Sequence, residues 1–190
     1  MRAEHFIISS GLKEIIEGCS LASAFKEIYA CEFHYDENGV ADWPKNVVNY
    51  TAKTQFLFRI NKGVLDISDD ESLNEYRDQE ERPVPFRNML YFGDGMTDVP
   101  CMKLVKLNGG KSIAVYKNRQ KFKAAKLLKD DRVDFIAYAD YTQGSQLDIL
   151  VKDIIGKIAA DDKLAQMTRM QKKNCGWLAG VFGLIKTKLG

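Results

Sequence analysis

The run Met89-Leu90-Tyr91-Phe92 leads directly into Gly93-Asp94-Gly95-Met96-Thr97-Asp98-Val99-Pro100. This is an apolar strand, a glycine-rich turn with two carboxylates, and then a helix. Asp94 stands where the strand ends, and Asp98 lies four residues on, where the helix starts. In an open α/β sheet, ligands bind just outside the carboxyl ends of the strands. Two carboxylates brought together there repel each other unless a hard cation such as Mg²⁺ lies between them. The position also suits Asp98 as a plain helix N-cap.

Working outward from this turn, strands and helices alternate. Phe6-Ile7-Ile8 is an apolar run that stops at Ser9-Ser10-Gly11, and Leu12 to Ile16 follows in a helical pattern. Ile28 to Tyr35 reads as a strand, Asp36-Glu37-Asn38-Gly39 as a hairpin turn. A helix spans Thr51 to Asn61 and stops at Gly63; residues 66–88 read as an acidic, proline-containing loop with a short helix. Beyond the turn come a helix to Lys106, a break at Asn108-Gly109-Gly110, and the strand Ser112 to Val115. A basic helix over 119–129, the strand Asp134 to Tyr138 and a long helix from Ser145 complete the core. Short apolar strands separated by helices imply a parallel sheet covered on both faces. Residues 1–160 form this α/β core, and residues 161–190 form a C-terminal helical and apolar tail.

Composition excludes several classes. With 190 residues, 45% apolar and 28% charged, the chain suits one well-filled soluble domain with an appendage. A net charge of +2 gives no argument for nucleic acid, and the basic runs at 117–129 and 163–173 read as solvated faces. Cys19, Cys31, Cys101 and Cys175 include no CxxC pair, and only two histidines accompany them, which argues against structural zinc and a disulfide framework. Cys31 and Cys101 read as buried small residues. No apolar run resembles a signal peptide or reaches membrane-spanning length, so a cytoplasmic location is expected.

Two further positions converge on the carboxylate turn. Ser9 ends a strand ahead of a helix, where its hydroxyl and the N–H groups of Ser10 and Gly11 can cradle an anion. Taken alone, Ser9 reads more readily as an ordinary N-cap serine, because Ser-Gly at a strand-to-helix turn is common. Lys53 shares a helix face with Phe56, Leu57 and Ile60, at spacings of three, four and seven. Its charge opposes the helix dipole, and its face points inward, at a cost of some tenths to about 1 kcal/mol. A phosphate site calls for a lysine there; a lysine that snorkels to solvent is the alternative.

Strand-Ser9-Ser10-Gly11, then Lys53 on a helix, then Gly93-Asp94-xxx-Asp98 after a strand resemble the second, third and fourth motifs of the haloacid dehalogenase (HAD) superfamily, in that order, across residues 5–155. Within it the chain is similar to phosphoserine-phosphatase-like phosphohydrolases. The resemblance implies a HAD-like Rossmannoid fold and a small phosphorylated metabolite as substrate. It also implies Mg²⁺ held by Asp94, with Asp98 supporting it directly or through a hydrogen bond. The substrate phosphate would be bound by Ser9, Ser10, Gly11 and Lys53, with Lys53, Asp94 and Asp98 serving catalysis. In the family an aspartate nucleophile forms an aspartyl-phosphate, and a second acid two residues later protonates the leaving oxygen.

That first motif, Asp-x-Asp after an apolar strand, is absent. Val64-Leu65-Asp66 and the strand ending at Asp140 lack the second acid at the right spacing. The family's first strand lies between those ending at Ser9 and Phe92, so the sheet is expected to lack its central strand, along with any C1 cap. The chain is therefore expected to be the C-terminal part of a longer protein, inactive by itself. Alternatively the strand groups re-pair, a partner strand or a second copy fills the gap, or the chain is an inactive phosphate- or metal-binding module. In the tail, Trp177, Val181, Leu184 and Ile185 make a helical stripe, interrupted by glycines, that is expected to pack on the core or on the missing N-terminal part, with an oligomer contact or a membrane-surface anchor as the alternatives.

Overall fold

The structure, a computed structural model, describes residues 2–186, the side chains at 80, 174 and 176–186 excepted. In chain order the elements are β1 (Phe6–Leu12), α1 (Lys13–Glu17), β2 (Glu27–Tyr35), β3 (Ala41–Asn46), α2 (Lys53–Lys62), α3 (Asp70–Asn74), β4 (Leu90–Gly93), α4 (Val99–Leu107), β5 (Lys111–Tyr116), α5 (Lys121–Lys129), β6 (Phe135–Tyr138) and α6 (Gln146–Lys186). Alternating strands and helices make this an α/β molecule compatible with a Rossmann-like fold. The strands form two sheets of three, ordered β1-β2-β3 and β4-β5-β6, where one sheet is expected from the sequence. β1 runs parallel to β2, β3 is antiparallel to β2, and β4, β5 and β6 are all parallel.

Helices cover both faces of the second sheet. Val99 and Met102 of α4 and Ala124 of α5 pack with Ala114, Tyr91 and Tyr116 on one face. Leu147, Ile154 and Ile158 of α6 pack with Ile113, Val115 and Ala137 on the other. α2 joins the two sheets: Phe56, Leu57 and Ile60 share a core with Tyr29 of β2, Met89 before β4, and Cys101 and Val105 of α4. Phe56 stacks on Tyr29 with ring centroids 4.5 Å apart. α2 stops at Gly63, whose φ of 71° is left-handed and favours glycine.

At the carboxyl end of β1, the Cys31 sulfur lies 3.6 Å from the Ser10 carbonyl and accepts the Val48 N–H at 3.3 Å, just ahead of α2. The amino end of α2 reaches the carboxyl end of β4 through Lys53 and Asp98, 2.7 Å apart. The other end of α2 meets the segment before β4, where Asn61 bonds the Val84 carbonyl at 2.8 Å and Phe58 packs edge-on to Phe86. The turn after β4 therefore meets the start of α2.

No ladder joins β1 to β4 among the described residues, so each strand keeps one open edge, and the strand groups do not re-pair. α6 carries the core-packed segment and the tail in one helix. The stripe of Trp177, Val181, Leu184 and Ile185 lies outside the described side chains. No helix among the described residues is long and apolar enough to cross a membrane. Cys101 is fully buried, whereas Cys31, expected to be buried, is half-buried.

Candidate functional site

Lys53 opens α2 after Asn49, whose side-chain oxygen accepts the N–H groups of Thr51 and Ala52 and so orders the turn ahead of the helix. The lysine does not snorkel: it is 5% exposed, on the face of Phe56 and Ile60, and its ammonium donates to Asp98 Oδ1 at 2.7 Å. Asp98 is 6% exposed. Its Oδ1 also accepts the Tyr91 hydroxyl at 3.0 Å, and its Oδ2 accepts the Gly95 N–H at 3.4 Å. The turn over Met96–Asp98 is tight, and α4 begins only at Val99, so the Asp98 side chain does not cap that helix. Gly93 makes the approach possible, because a Cβ there would lie 2.6 Å from Asp98 Cβ and 2.9 Å from Met102 Sδ.

Tyr91 is the member of this site that sequence reasoning misses. Burial, then the nearby Cys101 and Asp98, push its phenol far above the ordinary tyrosine range, so it stays a proton donor to Asp98. Burial likewise pushes the Cys101 thiol up to about 11, which keeps it neutral. The available signal was alternation along β4, which places Tyr91 on the α4 face, opposite Leu90 and Phe92.

Asp94 differs from Asp98: it is exposed, and no hydrogen bond or ion pair engages it among the described residues. It borders a cavity of about 180 Å³ on the α5 side, with Met96, Tyr116, Gln120 and Lys123. Neither Lys53 nor Asp98 lines that cavity. Lys123, read from sequence as part of a solvated face, thus stands at the same cavity as Asp94.

Ser9 and Ser10 lie within β1, where the Ser10 carbonyl is 3.6 Å from the Cys31 sulfur of β2. The regular β1–β2 ladder breaks after Ile8, and Ser9-Ser10-Gly11 stay extended, bulged out of register until Leu12. The helix expected from Leu12 starts at Lys13, runs five residues and buries none of them. The expected cradle at a helix N-terminus is therefore corrected: Ser9 Oγ accepts the Gly11 N–H at 3.0 Å, inside its own turn. No contact links Ser9 to Lys53 or Asp94.

The described residues contain no group of three His, Cys, Asp or Glu side chains placed to hold a metal ion. Asp98 has both oxygens engaged, which leaves Asp94 as the open carboxylate of the two. A hard cation takes six or more oxygens, and Asp94 and Asp98 by themselves do not supply such a set.

Fold and site together define an α/β protein with a buried lysine–carboxylate pair at the carboxyl end of a parallel strand, beside an open carboxylate. No family model matches the chain. It is 30% identical over 159 residues, 75% of its length, to an uncharacterized protein of Borreliella burgdorferi, of which the match covers 54%. The chain thus spans about half the length of that relative.

Proposed function

We propose that the chain carries the phosphate-facing part of a HAD-type, Mg²⁺-dependent phosphohydrolase acting on a small phosphomonoester, and that it lacks the nucleophile. The observation that carries this reading is the buried Lys53–Asp98 pair with Tyr91 at the end of β4. Isolated buried ion pairs are poor sources of stability, because desolvation offsets their attraction. A pair at the ligand-binding end of a strand, with an open acid four residues away, is better accounted for by chemistry.

In this reading Asp98 holds the Lys53 ammonium at the rim, and Tyr91 fixes the Asp98 carboxylate. Lys53 offsets the charge that builds on phosphoryl oxygens. Asp94 is one ligand of a divalent cation, which when bound supplies charge neutralisation of the phosphoryl group. Ser9 and Ser10 face the substrate phosphate from β1. The acid that attacks phosphorus and the acid that protonates the leaving oxygen come from outside these residues. A second reading, a binding module without turnover, is favoured by the missing Asp-x-Asp.

Hydrolysis of p-nitrophenyl phosphate with Mg²⁺ tests the proposal, on this chain and on the product of the reading frame extended upstream of Met1. The expected result is negligible turnover for the first, and activity in the second that Asp94→Asn abolishes. Robust turnover by the 190-residue chain, lost in Asp94→Asn, would overturn the claim of a missing nucleophile. An inactive extended product without Asp-x-Asp would favour the binding module.

A further inference from the structure

α6 is one helix of 41 residues, and only its first part belongs to the core. Leu147, Ile154 and Ile158 pack under the second sheet, and Asn88 reaches Asp162 at 3.3 Å. Beyond that contact, no side chain from Lys163 to Lys173 is buried. At the usual helical rise, α6 runs on for roughly 35 Å past Asp162.

This extension is amphipathic. Leu164, Met167 and Met170 are 61%, 49% and 68% exposed and recur every third residue, so they share one side of the helix. Arg169 and Lys172 fall on the other side, with Lys173 at its margin. Lys163 stands on the apolar side at the end nearer the core, where its long stem lets the ammonium reach outward. The sequence carries the apolar side onward, because Phe182 and Ile185 follow Leu164 and Met167 by about five whole turns. From Cys175 to Ile185 no residue is charged, while Lys172 and Lys173 precede this run and Lys186 and Lys188 follow it.

A contiguous apolar side of this kind calls for a cover, and charge decides which. After Asp162 the chain holds Lys163, Arg169, Lys172, Lys173, Lys186 and Lys188 and no acidic residue. Two such helices side by side would set base against base, without the acids that make ion pairs between helices. A bilayer with anionic headgroups supplies both the apolar depth and the opposing charge. Crossing a hydrocarbon core takes about 20 apolar residues, and no helix among the described residues is long and apolar enough for that.

We propose that α6 beyond Asp162 is a membrane-surface helix that holds the protein on anionic phospholipid. Leu164, Met167 and Met170 face the acyl chains, and Arg169, Lys172 and Lys173 lie among the headgroups. This rests on α6 alone and is independent of the proposed chemistry.

Vesicle sedimentation of the full chain tests it, with phosphatidylcholine alone and with equal parts of phosphatidylcholine and phosphatidylglycerol. The chain is expected to sediment with the mixed vesicles, to stay in solution with the neutral ones, and to be released by salt. Lys172→Glu with Lys173→Glu should weaken the binding at least roughly tenfold, and Leu164→Ser with Met167→Ser should do the same. All four side chains are exposed, so the unfolding midpoint should not move in either variant. No sedimentation with the mixed vesicles, equal binding to both kinds, or variants that bind like the parent would each overturn the proposal. So would a dimer in light scattering that Leu164→Ser with Met167→Ser dissolves, which would give the apolar side to a second copy. A lower unfolding midpoint in that variant would place the stripe on the core and overturn it as well.

Discussion

Lys53, Asp98 and Tyr91 meet inside the protein, where leaving one of them unpartnered is costly. Asp98→Ala strands a buried ammonium, and Lys53→Met removes the cation paired with a buried carboxylate. Each is expected to destabilise by about 3–5 kcal/mol, whereas Lys53→Met with Asp98→Leu recovers most of that loss, because an apolar pair needs no compensation. Urea titration of the four proteins checks this; single losses that simply add would show that the two side chains do not act as a pair. Lys53 was legible in the sequence because a cation in the first turn of an inward-facing stripe opposes both the dipole and the burial. Tyr91 was not, since a tyrosine in an apolar strand reads as packing until its hydroxyl finds a partner. The Ser9 turn was half legible: the regular ladder breaks there, but β1 runs on to Leu12, and the weak five-residue helix behind it starts too late to supply N–H groups.

At the scale of elements, the β2–β3 hairpin and α1 are tied by carboxylates. Glu32 accepts Lys45 at 2.7 Å and Lys13 at 3.4 Å, and Glu14 accepts the Phe33 N–H at 3.0 Å. Lys45 first, and then Lys13, hold Glu32 below its ordinary value of 4.5 against the opposing effect of burial, and Glu14 is lowered chiefly by the Phe33 N–H. A carboxylate whose folded value is depressed stabilises the fold above its unfolded value, and that contribution disappears as the pH falls through the folded one. Exchange of the hairpin amides is therefore expected to be constant from pH 7 to 5 after correction for intrinsic rates, and to quicken below 4.5. Glu32→Gln should remove part of that dependence, and an unchanged acid profile in this variant would rule Glu32 out as its source. The hairpin was readable from Asp36-Glu37-Asn38-Gly39, where Gly39 takes a φ of 75°. β6 and α5 were readable from apolar runs and their breaks. The bulge after Ile8 was not, because a register shift depends on which neighbour the strand finds.

On the scale of the whole molecule, the absence of an Asp-x-Asp strand pointed to a deficient sheet, and the described residues form two sheets, with β1 and β4 each at an edge. What sequence could not give is how the halves hold together, since that depends on long-range packing through α2. Phe6 and Ile8 from one sheet and Tyr91 from the other pack against the same buried cluster around Phe56. If that shared core makes the halves one cooperative unit, damage beside the first sheet must be felt in the second. Phe56 is 1% exposed and stacks on Tyr29 of β2, whereas Ile113 sits at 0% in β5 within the separate cluster under α6. Phe56→Ala is expected to cost about 3–5 kcal/mol. It should lower the unfolding midpoint in one transition and accelerate exchange at the β5 amides, including Ile113, as much as in β2. A variant that loosens β1 and β2 but leaves β5 at its original rate would show two separately folding halves. The Lys53–Asp98 bond would then join units that come apart independently, and the site would be rigid only while both are folded.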